Sequence, residues 1–172
     1  MFNCYRKSPN CSQDGHTMIS KYPHSLIQID DPCFIDYVAV KTTKSQVFVP
    51  HTAGRYQVKK FRKALCPIVE RLVGSMQFHG RNTGKKNMAM QIVKEALDIV
   101  SLVSGKNPIE VLLKAISLGG PREASARTGS GGTAKKSSVD VSPMRRINQA
   151  IYLISNGARN SSMKNFKTIA VF

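Results

Sequence analysis

The side chains in this chain that are spaced for chemistry are mostly cations, and they come in groups. Lys59, Lys60, Arg62 and Lys63 form the first, with Arg71 a little further on; Arg81, Lys85 and Lys86 form the second. The third runs from Arg122 and Arg127 through Lys135 and Lys136 to Arg145 and Arg146. Groups of this kind neutralise phosphate, arginine as a planar fork that can bind two oxygens and lysine as a compact point charge. Lys85 and Lys86 follow Gly84 where a helix is expected to start, and free backbone N–H groups and the positive end of the helix dipole favour an anion there. Arg145 and Arg146 enter a later helix in the same way. One such pair alone reads as a solvated helix face, but three groups in one chain point to a polyanionic partner.

Other chemistries find little support. The acids number 10 and are dispersed; Asp14, Asp30, Asp31 and Asp36 fall in the least regular part of the chain, and no pair is placed for acid–base work. His51 beside Thr52-Ala53 and His79 beside Gly80-Arg81 suit hydrogen-bonding or RNA-contact roles. Cys4, Cys11, Cys33 and Cys66 are irregularly spaced, so reduced thiols are expected. A zinc set drawn from Cys4, Cys11, His16 and His24 lacks the close C-x-x-C pairing of such sites. Cys66, before Pro67, reads as a cap or a buried thiol, and Met88 and Met90 as core. Gly74, Gly80 and Gly84 do not make a phosphate-binding loop, nor do the glycines at 129, 131 and 132. No enzymatic activity, cofactor, metal or small-molecule substrate is expected.

Lys and Arg total 26 against 10 for Asp and Glu, a formal charge of +16. A surface so charged repels itself unless a polyanion lies against it, and charge spread along the chain fits nucleic acid better than a membrane. No apolar run approaches the ~20 residues of a spanning helix. The first nine residues lack the apolar region of a secretory signal, so a cytosolic protein is expected.

The elements that must position these cations are mainly helices. Residues 1–28 lack apolar periodicity and read as a flexible extension; residues 29–172 read as one domain. Residues 29–50 carry the short apolar groups Phe34-Ile35, Tyr37 to Val40 and Val47 to Val49, consistent with a strand pair or an extended strap. A helix then follows Cys66, with Pro67 in its first position and Ile68, Val69, Leu72, Val73 and Met76 at helical spacing, and Gly80 as its stop. A second spans about 85–103 before Gly105. The third starts at Asn107-Pro108-Ile109-Glu110, an N-cap followed by proline and then an acid two positions on, and ends at Gly119-Gly120-Pro121. The fourth starts at Ser142-Pro143, places Ile147, Ile151 and Ile154 on one side and stops at Gly157. A fifth is expected within 161–172. Between the third and fourth, residues 121–141 have no helical period and read as a β-ribbon arm standing off the bundle. The expected fold is mainly α: about five bundled helices, a protruding β-hairpin and an irregular N-terminal extension.

Several blocks of this sequence resemble the universal small-subunit ribosomal protein seven family in its eukaryotic cytosolic form. They are Pro50-His51-Thr52-Ala53-Gly54-Arg55-Tyr56, Cys66-Pro67-Ile68-Val69-Glu70-Arg71-Leu72, and His79-Gly80-Arg81-Asn82 through Gly84-Lys85-Lys86. Gly120-Pro121-Arg122-Glu123, Val139-Asp140-Val141-Ser142-Pro143, Arg145-Arg146, Asn148-Gln149-Ala150 and Gly157-Ala158-Arg159 continue in the same order. The resemblance implies a structural component that binds the head (3′ major) domain of small-subunit rRNA and supports subunit assembly and translation. It also implies a hairpin near messenger RNA and exit-site tRNA, neighbouring head proteins as partners, and a cytoplasmic ribosome reached by nucleolar passage. By position, Lys59, Lys60, Arg62, Lys63, Arg71, Arg81, Lys85, Lys86, Arg145 and Arg146 are the expected rRNA contacts, and Arg122, Arg127, Lys135 and Lys136 the hairpin contacts. Where this chain has Ser130 the family usually carries Arg, and where it has Ala134 to Lys136 a Val-Arg-Arg run, so weaker hairpin contacts are expected. The family also continues beyond Phe172 with the rest of a helix and a basic tail. A shortened, divergent copy acting on RNA or assembly factors outside the ribosome is the alternative.

Overall fold

The computed structural model describes residues 22, 27–40, 51–129, 132 and 134–172. Among them are four α-helices: α1 (Ile68–Met76), α2 (Lys86–Ser104), α3 (Pro108–Gly119) and α4 (Pro143–Ser162). Each buries one stripe: Ile68, Val69 and Val73 in α1; Ala89, Val93 and Leu97 in α2; Ile109, Leu112, Leu113 and Ile116 in α3; Met144, Ile147, Ala150 and Ile151 in α4. These stripes meet because α1 packs on α2 and α4 while α3 packs on the same two helices. The mainly helical fold with a hairpin is the one the sequence patterns predict.

The chain punctuates its helices largely as expected. Asn107 accepts the Ile109 N–H at 3.1 Å, which caps α3 over Pro108. Gly105 takes φ 63 and its N–H returns to the Ser101 carbonyl, closing α2. At the end of α3, a Cβ on Gly120 would lie 3.2 Å from both the Cβ and the carbonyl oxygen of Arg146, so the approach of α3 to α4 favours a residue without a side chain.

Three boundaries differ. α1 ends at Met76, before Gly80, and the left-handed residue after it is His79 at φ 74, which leads into a 3-10 turn at Gly80–Asn82. α4 runs through Gly157 to Ser162. A mid-helix glycine costs only about 1 kcal/mol, and half-buried Ala158 and Ser162, four residues apart, continue the inward stripe past the point where propensity alone would stop it. The helix expected in 161–172 is instead the end of α4, a reversal at Lys164 (φ 58) and a 3-10 turn at Ile169–Val171. That turn seats Ala170 against α2 and α4.

Residues 27–40 form a strap across the bundle. Asp31 caps a 3-10 turn at Pro32–Phe34, and Phe34, Val38 and Val40 enter the common core. At the start of α1 the strap makes an isolated β-bridge, Ala39 beside Pro67, with the Ile68 N–H donating to the Ala39 carbonyl at 3.2 Å. Val47 to Val49 lie outside the described residues, as does most of 1–28. Within that stretch Tyr22 and Ile27 pack against the core, and the Tyr22 hydroxyl donates to Asp98 in α2 at 2.8 Å.

The arm is an antiparallel hairpin, β1 (Glu123–Thr128) and β2 (Lys135–Asp140), in register from Glu123 opposite Asp140 to Thr128 opposite Lys135. Its side chains are exposed apart from half-buried Ala126. The Val141 N–H to Arg122 carbonyl bond closes its base.

Candidate nucleic-acid interface

The packing of α1 against α2 and α4 leaves two concavities on the cationic side. The first, about 810 Å³, lies between residues 54–58, α1, the start of α2 and the middle of α4. Arg55, Lys63, Arg71 and Lys86 border it, with Glu70 as the sole acid among the described residues. Glu70 is buried and heavily bonded: it accepts from Lys86 Nζ at 2.7 Å, from the Thr52 N–H at 3.2 Å and from the Thr52 hydroxyl at 2.8 Å. Burial by itself raises the Glu70 pKa, but the bonds from Lys86 and Thr52 outweigh it and hold the carboxyl below its ordinary value.

Arg71 turns into the wall of this concavity. Its guanidinium donates to the Tyr37 carbonyl at 3.3 Å and to the Asn148 side-chain oxygen, joining the strap, α1 and α4. Burial lowers its pKa from the free value. Cys66 beside it is buried, and that burial, aided by the Glu70 charge, pushes the thiol up to about 12. It is a protonated, unreactive thiol at neutral pH, consistent with the sequence expectation.

The second concavity, about 420 Å³, lies between the end of α1, the start of α2, the last turns of α4 and the C-terminal segment. Arg81, Lys85, Arg159 and Lys164 border it and, among the described residues, no acid does. Adjacent Lys85 and Lys86 therefore diverge, one into each concavity. Phe78 forms an aromatic wall, its ring 4.6 Å from that of His79 and 5.9 Å from that of Tyr152.

The remaining expected positions separate by burial. Lys59, Lys60, Arg62, Lys63, Arg81, Lys85 and Arg145 are exposed. Arg146 is 7% exposed and turned inward, 3.5 Å from Asp31 and with its guanidinium carbon 4.6 Å over the Phe34 ring. The approach of α4 to the strap and to Gly120 leaves that helix face no access to solvent, so Arg145 carries the exposed charge of the pair. Arg122, Arg127, Lys135 and Lys136 are exposed on the arm. Arg55, Arg159 and Lys164 join the cationic surface without having been singled out from the sequence. Arg159 lies in one of the quoted blocks, but the expected stop at Gly157 places it beyond the fourth helix, and only the continuation of α4 to Ser162 and its packing against α1 bring it to the concavity that Arg81 borders.

Among the described residues no three His, Cys, Asp or Glu side chains are grouped to hold a metal ion, and no helix is long and apolar enough to cross a membrane. Cys4, Cys11, His16 and His24 lie outside the described residues.

A small helical bundle with cationic concavities and a projecting basic ribbon defines a class of scaffold built against a polyanion. The chain belongs to the family described as Ribosomal protein S7p/S5e, which matches residues 39–170. It is 52% identical over 145 residues to the small ribosomal subunit protein uS7 of Entamoeba histolytica, covering 84% of this chain and 70% of that protein. It is 48% identical over 153 residues to the uS7 protein of Dictyostelium discoideum, covering 89% of this chain and 79% of that one.

Proposed function

We propose that this chain is a structural constituent of the small ribosomal subunit that binds and organises the head domain of its rRNA. The carrying observation is the concavity where Arg81, Lys85, Arg159 and Lys164 converge with no acid among the described residues. Lys59, Lys60, Arg62, Lys63, Arg81, Lys85 and Arg145 are the primary phosphate contacts; Lys86 adds a partly neutralised charge, and Arg71 and Arg146 hold the helices that present the others. Phosphate neutralisation and shape dominate such binding, because a folded RNA helix keeps its base edges in a deep major groove.

In this reading the arm, with Arg122, Arg127, Lys135 and Lys136, reaches toward messenger RNA and exit-site tRNA, and neighbouring head proteins cover part of the bundle. The protein acts without catalysis, in cytoplasmic ribosomes, after passing through the nucleolus during assembly. Tagged full-length chain run through a sucrose gradient at moderate salt tests this. Wild type is expected in 40S, 80S and polysome fractions, and Arg81→Glu with Lys85→Glu is expected to shift it to the free pool. Wild-type protein confined to free fractions would reject the reading in favour of a copy acting outside the ribosome.

A further inference from the structure

The second concavity holds more than charge. Phe78 forms one wall, and across from it the Arg159 guanidinium carbon stands 6.0 Å from the centre of the Phe78 ring. Stacked bases sit ~3.4 Å apart, so a base between two flat groups needs roughly 7 Å. The Phe78–Arg159 pair is itself a cation–π contact, and a base enters by pushing the guanidinium outward from the ring, which Arg159 allows as a long side chain in the last turn of α4. Unstacked RNA bases are commonly held between aromatic rings and guanidinium planes.

The rest of the concavity suits the other parts of a nucleotide. Arg81, Lys85 and Lys164 border it with no carboxylate to repel a phosphate, and none of the three forms an ion pair among the described residues. Gln77 lies at the wall shared with the first concavity, and its side-chain nitrogen is buried without a hydrogen-bond partner. Two of the four described non-glycine residues with positive φ, His79 at 74° and Lys164 at 58°, flank this concavity, and backbone held in such conformations concentrates at binding sites. At about 420 Å³ the space is in the range of small-ligand pockets.

We propose that this concavity captures one unpaired nucleotide of RNA, its base between Phe78 and Arg159 and its phosphate among Arg81, Lys85 and Lys164. The proposal rests on the RNA-binding reading above and adds to it a single-nucleotide pocket that distinguishes bulged or looped RNA from a regular duplex.

The test uses the full chain and two RNA hairpins of equal stem length, one fully paired and one with a single bulged 4-thiouridine. Phe78→Leu keeps apolar bulk without the ring, and Arg159→Lys keeps charge without the plane. Each should weaken binding of the bulged hairpin by about 5- to 150-fold, the span of base–aromatic stacking, and leave the paired hairpin within about twofold. In wild type the thiouridine should photocrosslink to a peptide containing Phe78, a readout that needs no variant to fold. Equal losses on both hairpins, no loss on either, or crosslinks elsewhere would overturn the pocket. Failure of wild type to bind either hairpin would instead overturn the RNA-binding reading itself.

Discussion

Lys86 Nζ sits 2.7 Å from a carboxylate oxygen of Glu70, a side chain only 6% exposed, while its neighbour Lys85 faces the opposite concavity without an acid. Two adjacent lysines that look equivalent as a phosphate anchor therefore have different work. Lys86 neutralises a buried charge that also holds Thr52, and Lys85 is available to a ligand.

That division predicts different phenotypes. Lys85→Ala should leave stability within about 0.5 kcal/mol, as is usual for an exposed site. It should also flatten the salt dependence of RNA binding by roughly 0.7–0.9 in log–log slope. Lys86→Ala should destabilise the fold by more, since it strands Glu70 in a buried position. Urea unfolding and binding at three or more salt concentrations separate the two, and equal behaviour of both variants would contradict the pairing.

Glu70 also gives the fold a pH signature. Its pKa is held below the ordinary value by the bonds from Lys86 and Thr52. Because the folded-state pKa is the lower one, its contribution is fully present above the unfolded-state value of about 4.3 and is lost as pH falls through the folded value. Glu70→Gln should cost ~1–3 kcal/mol near pH 7, and the gap between wild type and variant should narrow below about pH 4. A gap that stays constant down to pH 3 would refute this.

Arg71 joins three segments, donating to the Tyr37 carbonyl and the Asn148 side chain from α1. Arg71→Lys keeps the charge but not the fork, and leaves at least one buried acceptor unmatched. It should lower stability by ~1–3 kcal/mol with the RNA salt slope unchanged. A slope that falls while stability holds would make Arg71 a direct phosphate contact.

On the arm, Arg127 stands opposite Lys136 in the register, a like-charged pair on a ribbon with little else to hold it. Like charges directly opposite are unfavourable by ~0.2–1 kcal/mol, and an isolated hairpin is marginal in water. Arg127→Glu should slow amide exchange along β1 and β2 by up to about fivefold and reduce RNA affinity at low salt. Faster exchange in the variant would show that the opposed cations do not strain the ribbon.

Much of this molecule was legible in one dimension, because the signals are local. A +16 chain must meet an anion, and the helical spacing of Ile92, Val93, Ala96, Leu97 and Val100 marks a helix wherever it occurs, although Met88 and Val103, which that spacing also assigns to the apolar face, are exposed and Ala89 is buried instead. Asn107-Pro108 and Gly105 start and stop helices through their own backbone chemistry, and residues 121–141, lacking a helical period, had to leave the bundle. Periodicity does not report which side of a helix meets which neighbour. Only packing decided that Arg146 would be sealed against Asp31 and Phe34 while Arg145 stays in solvent. Only packing turned Lys86 to Glu70 and Lys85 away from it. And only the crossing of α4 past the end of α1 brought Arg159 to Phe78, across 81 residues of sequence, because burial of the shared apolar stripe fixes the helix pair and carries its polar edges along.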